Sequence, residues 1–190
     1  MSDTLTLWHA EHANFAQLLN LLDDQLALFH AGRRPDYELM LNIMFYMTHY
    51  SDVLHHPKED LVFGKIKERD EGVARTVDDL AAQHALIGRS GLELARRLDD
   101  IVNGTITSRE SVEAAARDYV DTLRSHMRIE ETEILPLAGK VLTSRDWTAI
   151  DAAIERIDDP LFGKHPEGRY LALLQQIARQ APSVGAGDHR

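Results

Sequence analysis

Four histidines and two glutamates recur in this sequence as two copies of one pattern. His12 precedes the pair His55 and Glu59, and His84 precedes the pair His126 and Glu130. The offsets between the copies are 84 − 12 = 72, 126 − 55 = 71 and 130 − 59 = 71 residues. Imidazole nitrogen and carboxylate oxygen together suit divalent or trivalent transition metals, and six such ligands are enough for a pair of ions. One inward histidine is ordinarily a hydrogen-bonded core residue, and one His-x-x-x-Glu on an exposed helix is ordinarily a solvated pair. Two copies at a matched offset point instead to a metal site. The chain has no cysteine, which removes thiolate nucleophiles, iron–sulfur ligation and zinc ribbons and leaves only N and O donors.

The elements that must hold these ligands are helices. Leu7, Trp8, Phe15, Leu18, Leu19, Leu22, Leu26 and Phe29 fall three and four apart over residues 5–31, and Gly32 to Pro35 mark a stop. A second helix starts near Asp36, a capping residue, and runs through HHPKEDLVFGKIKER, where Pro57 should kink or restart it beside His55, His56 and Glu59. A third spans about 74–103, ending at Asn103 and Gly104. A fourth follows the turn at Ser108 and Ser111 and reaches about Lys140. Residues four apart on a helix differ by about 40° around its axis and about 6 Å along it, so each His-x-x-x-Glu pair can serve a metal from one face. His12 shares a stripe with Trp8, Phe15 and Leu19, His84 one with Val77, Leu80, Ala81 and Ile87, and His126 lies one heptad from Tyr119. All point inward, and a metal pair would balance the buried carboxylates with no lysine or arginine in the core.

The expected fold is all-α: an antiparallel up-down four-helix bundle over residues 5–140 with a di-metal site in its core, and one or two further helices in an extension over 141–182 packed on it. That extension should hold a helix from Ser144 through Asp158, a DDPLFGKHPEG loop and an amphipathic helix from about 167 to 180. Residues 183–190, rich in Gly and Ala, should be a disordered tail. A length of 190 residues fits one domain with a proper core. The formal charge of −10 argues against nucleic acid or an anionic membrane as partner and suits cation capture. No apolar run approaches the roughly 18–20 residues of a membrane span, and the start has no signal-like segment, so the expected location is the cytoplasm.

The runs LWHAEHANF, HHPKEDLVF and SHMRIEETEILPLA, with His84 in AAQHALI, resemble the four helices of the hemerythrin-like, or HHE cation-binding, domain. The resemblance covers about residues 5–140. It implies a four-helix bundle around an oxo- or hydroxo-bridged pair of iron ions, with zinc or manganese as substitutes, and it maps the ligands onto His12, His55, Glu59, His84, His126 and Glu130. The two glutamates would bridge the ions. Two departures stand out against oxygen-carrying members, which have a second histidine on the third helix where this chain has Gly88, and an aspartate where it has Glu130.

A fifth nitrogen could come from His9, His56 or His49. Failing all three, water or hydroxide would take the position. Trp8, Phe15 and Tyr119 would line the dry side of the site, Glu131 and Glu133 would be solvated charge, and His30, His165 and His189 have no role. Such a centre binds or senses a small molecule, namely dioxygen, peroxide or nitric oxide, and need not be an enzyme beyond weak oxidase or peroxidase chemistry. The alternatives are an iron-holding or iron-centre repair protein, and a structural bundle filled by zinc. The last helix, with Tyr170, Leu171, Leu174 and Ile177 on one side, either packs back on the bundle, docks a partner or makes a homodimer.

Overall fold

Apolar residues spaced three and four apart build six helices in the computed structural model, which describes residues 3–154 and 157–180 and contains no strand among them. Helix α1 is Asp3–His30. Helix α2 spans 37–69 in three stretches, Tyr37–Tyr46, Met47–His55 and His56–Arg69, of which the middle one is π-helical. Helix α3 is Ala74–Val102. Helix α4 spans 109–141 as Arg109–Ile129, a π-helical Glu130–Ile134 and Leu135–Val141. Two shorter helices, α5 (Ser144–Ala153) and α6 (Leu171–Gln180), complete the order. None of them is long and apolar enough to cross a membrane.

The helix ends follow local chemistry. Asp36 caps α2 by accepting the Leu39 N–H at 2.9 Å. Gly32 and Gly104 take the left-handed conformation after α1 and α3, at φ 71° and 85°, and in both turns the next residue's N–H reaches back to a carbonyl five residues earlier. Helix α5 starts with a capping box between Thr143 and Asp146.

Pro57 does not interrupt α2. The backbone is helical at Tyr46, His55 and His56, and the His56 N–H bonds to the Ser51 carbonyl, five residues back. Widening the turn from four to five residues makes room for the proline ring, which would otherwise press on the preceding carbonyl. Pro136 repeats the arrangement: the π-helical stretch of α4 ends just before it, with the Leu135 N–H bonded to the Glu130 carbonyl.

The apolar interior forms two clusters. One gathers Phe15, Leu22, Met44, Ile87, Leu94, Tyr119 and Leu123, and the other Trp8, Val62, Phe63, Val77, Leu80, Ile134 and Leu135. Each of the four long helices contributes to both, and on each the His and Glu residues sit between the two sets.

The C-terminal segment lies against the long helices. Asp146 pairs with Arg69 at 2.8 Å, Thr4 donates to Asp151 at 2.6 Å, and Leu161, Tyr170 and Leu173 are buried. Helix α5 stops at Ala153, short of the expected Asp158, because the chain turns extended at Ile154 and goes on to place Asp159 against Tyr46 and Leu161 in the core. On α6 the inward residues are Leu173, Leu174 and Ile177, whereas Leu171 is half exposed. The expected tail at 183–190, with His189, lies outside the described residues.

Candidate metal centre

Helix α1 supplies His12, α2 supplies His55, His56 and Glu59, α3 supplies His84, and α4 supplies His126 and Glu130, all buried. His12 Nε2 and His55 Nε2 stand 3.1 Å apart, and His84 Nε2 and His126 Nε2 3.0 Å apart. Glu59 lies between these two pairs. Its Oε1 is 3.2 Å from His12 and 2.9 Å from His55, and its Oε2 is 3.3 Å from His84. Glu130 does the same from the opposite helix, with Oε2 3.6 Å from His12 and Oε1 3.1 Å from His126 and 3.8 Å from His84.

His56 completes the second group, its ring stacked on His84 at 4.3 Å and edge-on to His126 at 5.8 Å. Consecutive residues on an α-helix point about 100° apart, too far for both to address one centre head-on. The wider turn that ends at His55 narrows that angle, so His55 turns toward His12 while His56 turns toward His84. His56, Glu59, His84 and His126 hold donor atoms close enough to share one ion, as do His12, His55 and Glu59.

Each of the five imidazoles has a partner on its outward nitrogen, Nδ1. Glu11 sits 2.7 Å from His55, Glu131 2.7 Å from His12, Asp60 2.9 Å from His84, Gln83 3.1 Å from His126 and Asp52 3.2 Å from His56. At His12, His55, His84 and His126 the oxygen acceptor at Nδ1 favours the tautomer with its proton there, which leaves the Nε2 lone pair for a cation, whereas His56 Nε2 also has the Ser51 hydroxyl 3.4 Å away.

The electrostatics point the same way. Burial alone would raise the Glu59 and Glu130 carboxyls. The surrounding imidazoles reverse this, holding Glu59 well below the usual range and Glu130 below it. Burial likewise opposes charge on His12 and His84, yet Glu131 and Glu59 lift His12 to about 10, and Asp60, Glu130 and Glu59 lift His84 to about 11. His55 is raised as well, against burial, chiefly by Glu59 and Glu11, whereas burial lowers His56. Two buried carboxylates therefore call for positive charge at the middle of the site. Glu59 Oε2 and both Glu130 oxygens accept no hydrogen bond, although imidazole nitrogens stand 3.1–3.8 Å away. Carboxylate oxygens and imidazole nitrogens converge there without hydrogen bonds between them, as donors around a shared cation do, and the cluster fits a metal site.

The structure thus gathers His12, His55, Glu59, His84, His126 and Glu130, and of the three further candidates it adds His56. His9 instead pairs with Glu131 at 2.6 Å near the surface, and His49 stacks on Phe45 at 3.7 Å and bonds to its carbonyl. Trp8 and Phe15 edge against His55 at 6.2 and 4.9 Å, while Tyr119 packs against Gly91. A Cβ on Gly88 would lie 3.7 Å from Asp52 Oδ2, so the space beside it belongs to the partner of His56. Glu131, expected to be solvated, binds His12 and His9, and Lys58 is buried 3.9 Å from Glu11 where no lysine was expected. The outward partners escaped the sequence reading. Only Asp52, four residues before His56 on one helix, left a readable spacing; the others meet their histidines across helices.

The family model for the hemerythrin HHE cation binding domain matches residues 3–138. No curated protein and no solved structure matches the chain.

Proposed function

The chain belongs to the hemerythrin HHE cation-binding domain family, and from that premise we propose that it holds two iron ions in an antiparallel up-down bundle of α1 to α4 and binds or senses dioxygen, peroxide or nitric oxide there. The observation that carries this reading is the placement of Glu59 and Glu130, each with one oxygen toward the His12 and His55 side and the other toward the His84 and His126 side. Carboxylates in that position suit a bridging role between two ions.

One ion would be held by His56, His84 and His126, the other by His12 and His55. Two iron ions in such a donor set supply a redox pair able to bind a small oxygen or nitrogen ligand. The histidine count is uneven, so the His12 and His55 side has the open position. Phe15 and Trp8 close it to bulk water. His12 also forms part of the wall of a surface groove of about 390 Å³ with Ala13, Ala16 and Met127, a mostly apolar approach for an uncharged diatomic molecule.

Metal analysis and the visible spectrum test the proposal. The purified protein, reduced without air and then exposed to oxygen or nitric oxide, should contain about two irons per chain and develop charge-transfer bands. Stoichiometric zinc with no spectral response would replace this reading with a structural site.

A further inference from the structure

We propose that Tyr50 and Tyr46 form a buried relay that carries an oxidising equivalent from the ligand shell of the centre to the C-terminal segment. The inference rests on the reading that the centre is redox-active, and it concerns residues that reading does not use.

A path of two hydrogen-bonded stretches joined by one ring stack starts at a proposed ligand. His55 Nδ1 donates to Glu11 Oε2 at 2.7 Å, and the Tyr50 hydroxyl donates to Glu11 Oε1 at 2.8 Å. The Tyr50 ring stacks on Tyr46, with centroids 5.2 Å apart and planes 20° from parallel. The Tyr46 hydroxyl then donates to Asp159 Oδ2 at 2.8 Å, while Asp159 Oδ1 is fixed by the Leu161 and Phe162 N–H groups at 2.8 and 2.9 Å. Asp159 lies beyond the family match, in the segment that follows α5. Tyr46 also meets Tyr170 edge-on at 5.7 Å, and Tyr50 and Tyr170 both line a surface pocket of about 210 Å³.

The chemistry of phenol oxidation explains why these two tyrosines matter. A tyrosine that loses an electron must also lose its hydroxyl proton, and a buried one needs a base within hydrogen-bond reach because water is excluded. Tyr46 and Tyr50 are buried and each donates to a carboxylate. Tyr119 is buried as deeply, but its hydroxyl has no partner, so the molecule holds a tyrosine without the base. Burial pushes the Asp159 carboxyl up, which strengthens it as the acceptor.

The balance is as follows. Reduction of a peroxide to two waters would take two electrons and two solvent protons, which is the chemistry a bound metal pair would supply beside His55. Each electron lost by the centre is replaced from Tyr46 by way of Tyr50, and the Tyr46 proton crosses to Asp159. The resulting neutral tyrosyl radical recovers its proton from Asp159 and takes one electron, by way of Tyr170 at the pocket wall, from a small enediol or thiol, which releases its own proton to solvent; two such donors are oxidised per peroxide, and their radicals combine or disproportionate.

Electron paramagnetic resonance of the iron-loaded full chain tests this in two arms, one oxidised by hydrogen peroxide and one by a photo-oxidised ruthenium polypyridyl complex. A tyrosyl signal is expected in both. It should be lost in Tyr46→Phe, weakened and shortened in lifetime in Asp159→Asn, and kept in Tyr119→Phe and Tyr37→Phe, with metal content and melting temperature confirming that each variant folds. No tyrosyl signal in either arm, or an equal signal in Tyr46→Phe, overturns the relay. A signal with the ruthenium oxidant alone, in protein whose iron peroxide does oxidise, also overturns it, because the tyrosines are then unconnected to the centre. If the protein takes up no iron, the functional reading fails, and the ruthenium arm still decides whether Tyr46 is the oxidised residue.

Discussion

At the scale of the residue, His56 separates this site from its six-ligand pattern. It gives the His84 and His126 side a third nitrogen, and Asp52 holds it from behind. His56→Ala should lower the metal content from about two ions per chain toward about one, measured by metal analysis of the purified variant. His49→Ala should leave the content unchanged, since His49 is engaged with Phe45 outside the cluster. The glycines of α3 offer a second contrast. A methyl at Gly88 meets only Asp52 at ordinary contact distance, so Gly88→Ala should stabilise the fold by about 0.5–1 kcal/mol through helix propensity. A methyl at Gly91 would lie 3.1 Å from Tyr119 and 3.2 Å from Thr48, so Gly91→Ala should destabilise by about 1 kcal/mol. Thermal or denaturant melts of the two variants should move in opposite directions, and a shared direction would contradict the packing described around Gly91.

At the scale of the element, the sequence was legible where a side chain answers to its own neighbours and illegible where it answers to another helix. The three-and-four spacing, Asp36 as a cap and the glycines after α1 and α3 located the long helices to within a few residues. The repeated offset picked out six residues that the structure gathers in one buried cluster, because a helical period carries inward-facing positions faithfully. A one-residue widening of a turn leaves that period almost intact, so Pro57 suggested a break where the structure has a π-helical stretch, and His56 stayed one of three equal candidates. Glu131 looked solvated because nothing local to it reveals His12 on α1. The widened turn yields its own prediction. Pro57→Ala restores an N–H able to bond to the Val53 carbonyl, so an ordinary α-helical turn can re-form and swing His55 away from its angle to His56. Helix content by circular dichroism should hold or rise slightly while metal affinity falls. Unchanged affinity would mean that the wide turn is not what aims the two histidines.

At the scale of the whole molecule, the centre splits the interior into two apolar clusters, so the four long helices are tied together through charge at mid-length. In the metal-free protein, protons supply that charge. His12 and His84 titrate near 10 and 11 in the fold and near 6.5 when unfolded. Raised values mean that the folded chain holds more protons than the unfolded one between these limits, so their stabilisation is complete below about pH 6.5 and drains away as pH rises toward 10. Bound metal replaces those protons. The melting-temperature gap between loaded and chelator-treated protein should therefore widen from pH 6.5 to pH 10, and a constant gap would contradict the proton assignment. The outward partners of the histidines differ in depth: the Glu11 side chain is 3% exposed, whereas those of Asp60 and Glu131 are 49% and 32% exposed. Asp60 holds His84 between α2 and α3, and Glu131 holds His12 between α1 and α4, so each proposed ion has one ligand that is released from the solvent side, on a different seam of the molecule. Unloading is then two separate departures. A chelator should strip the protein in two kinetic phases, of which Glu131→Ala hastens one and Asp60→Ala the other, leaving a one-metal form that can be trapped from either side.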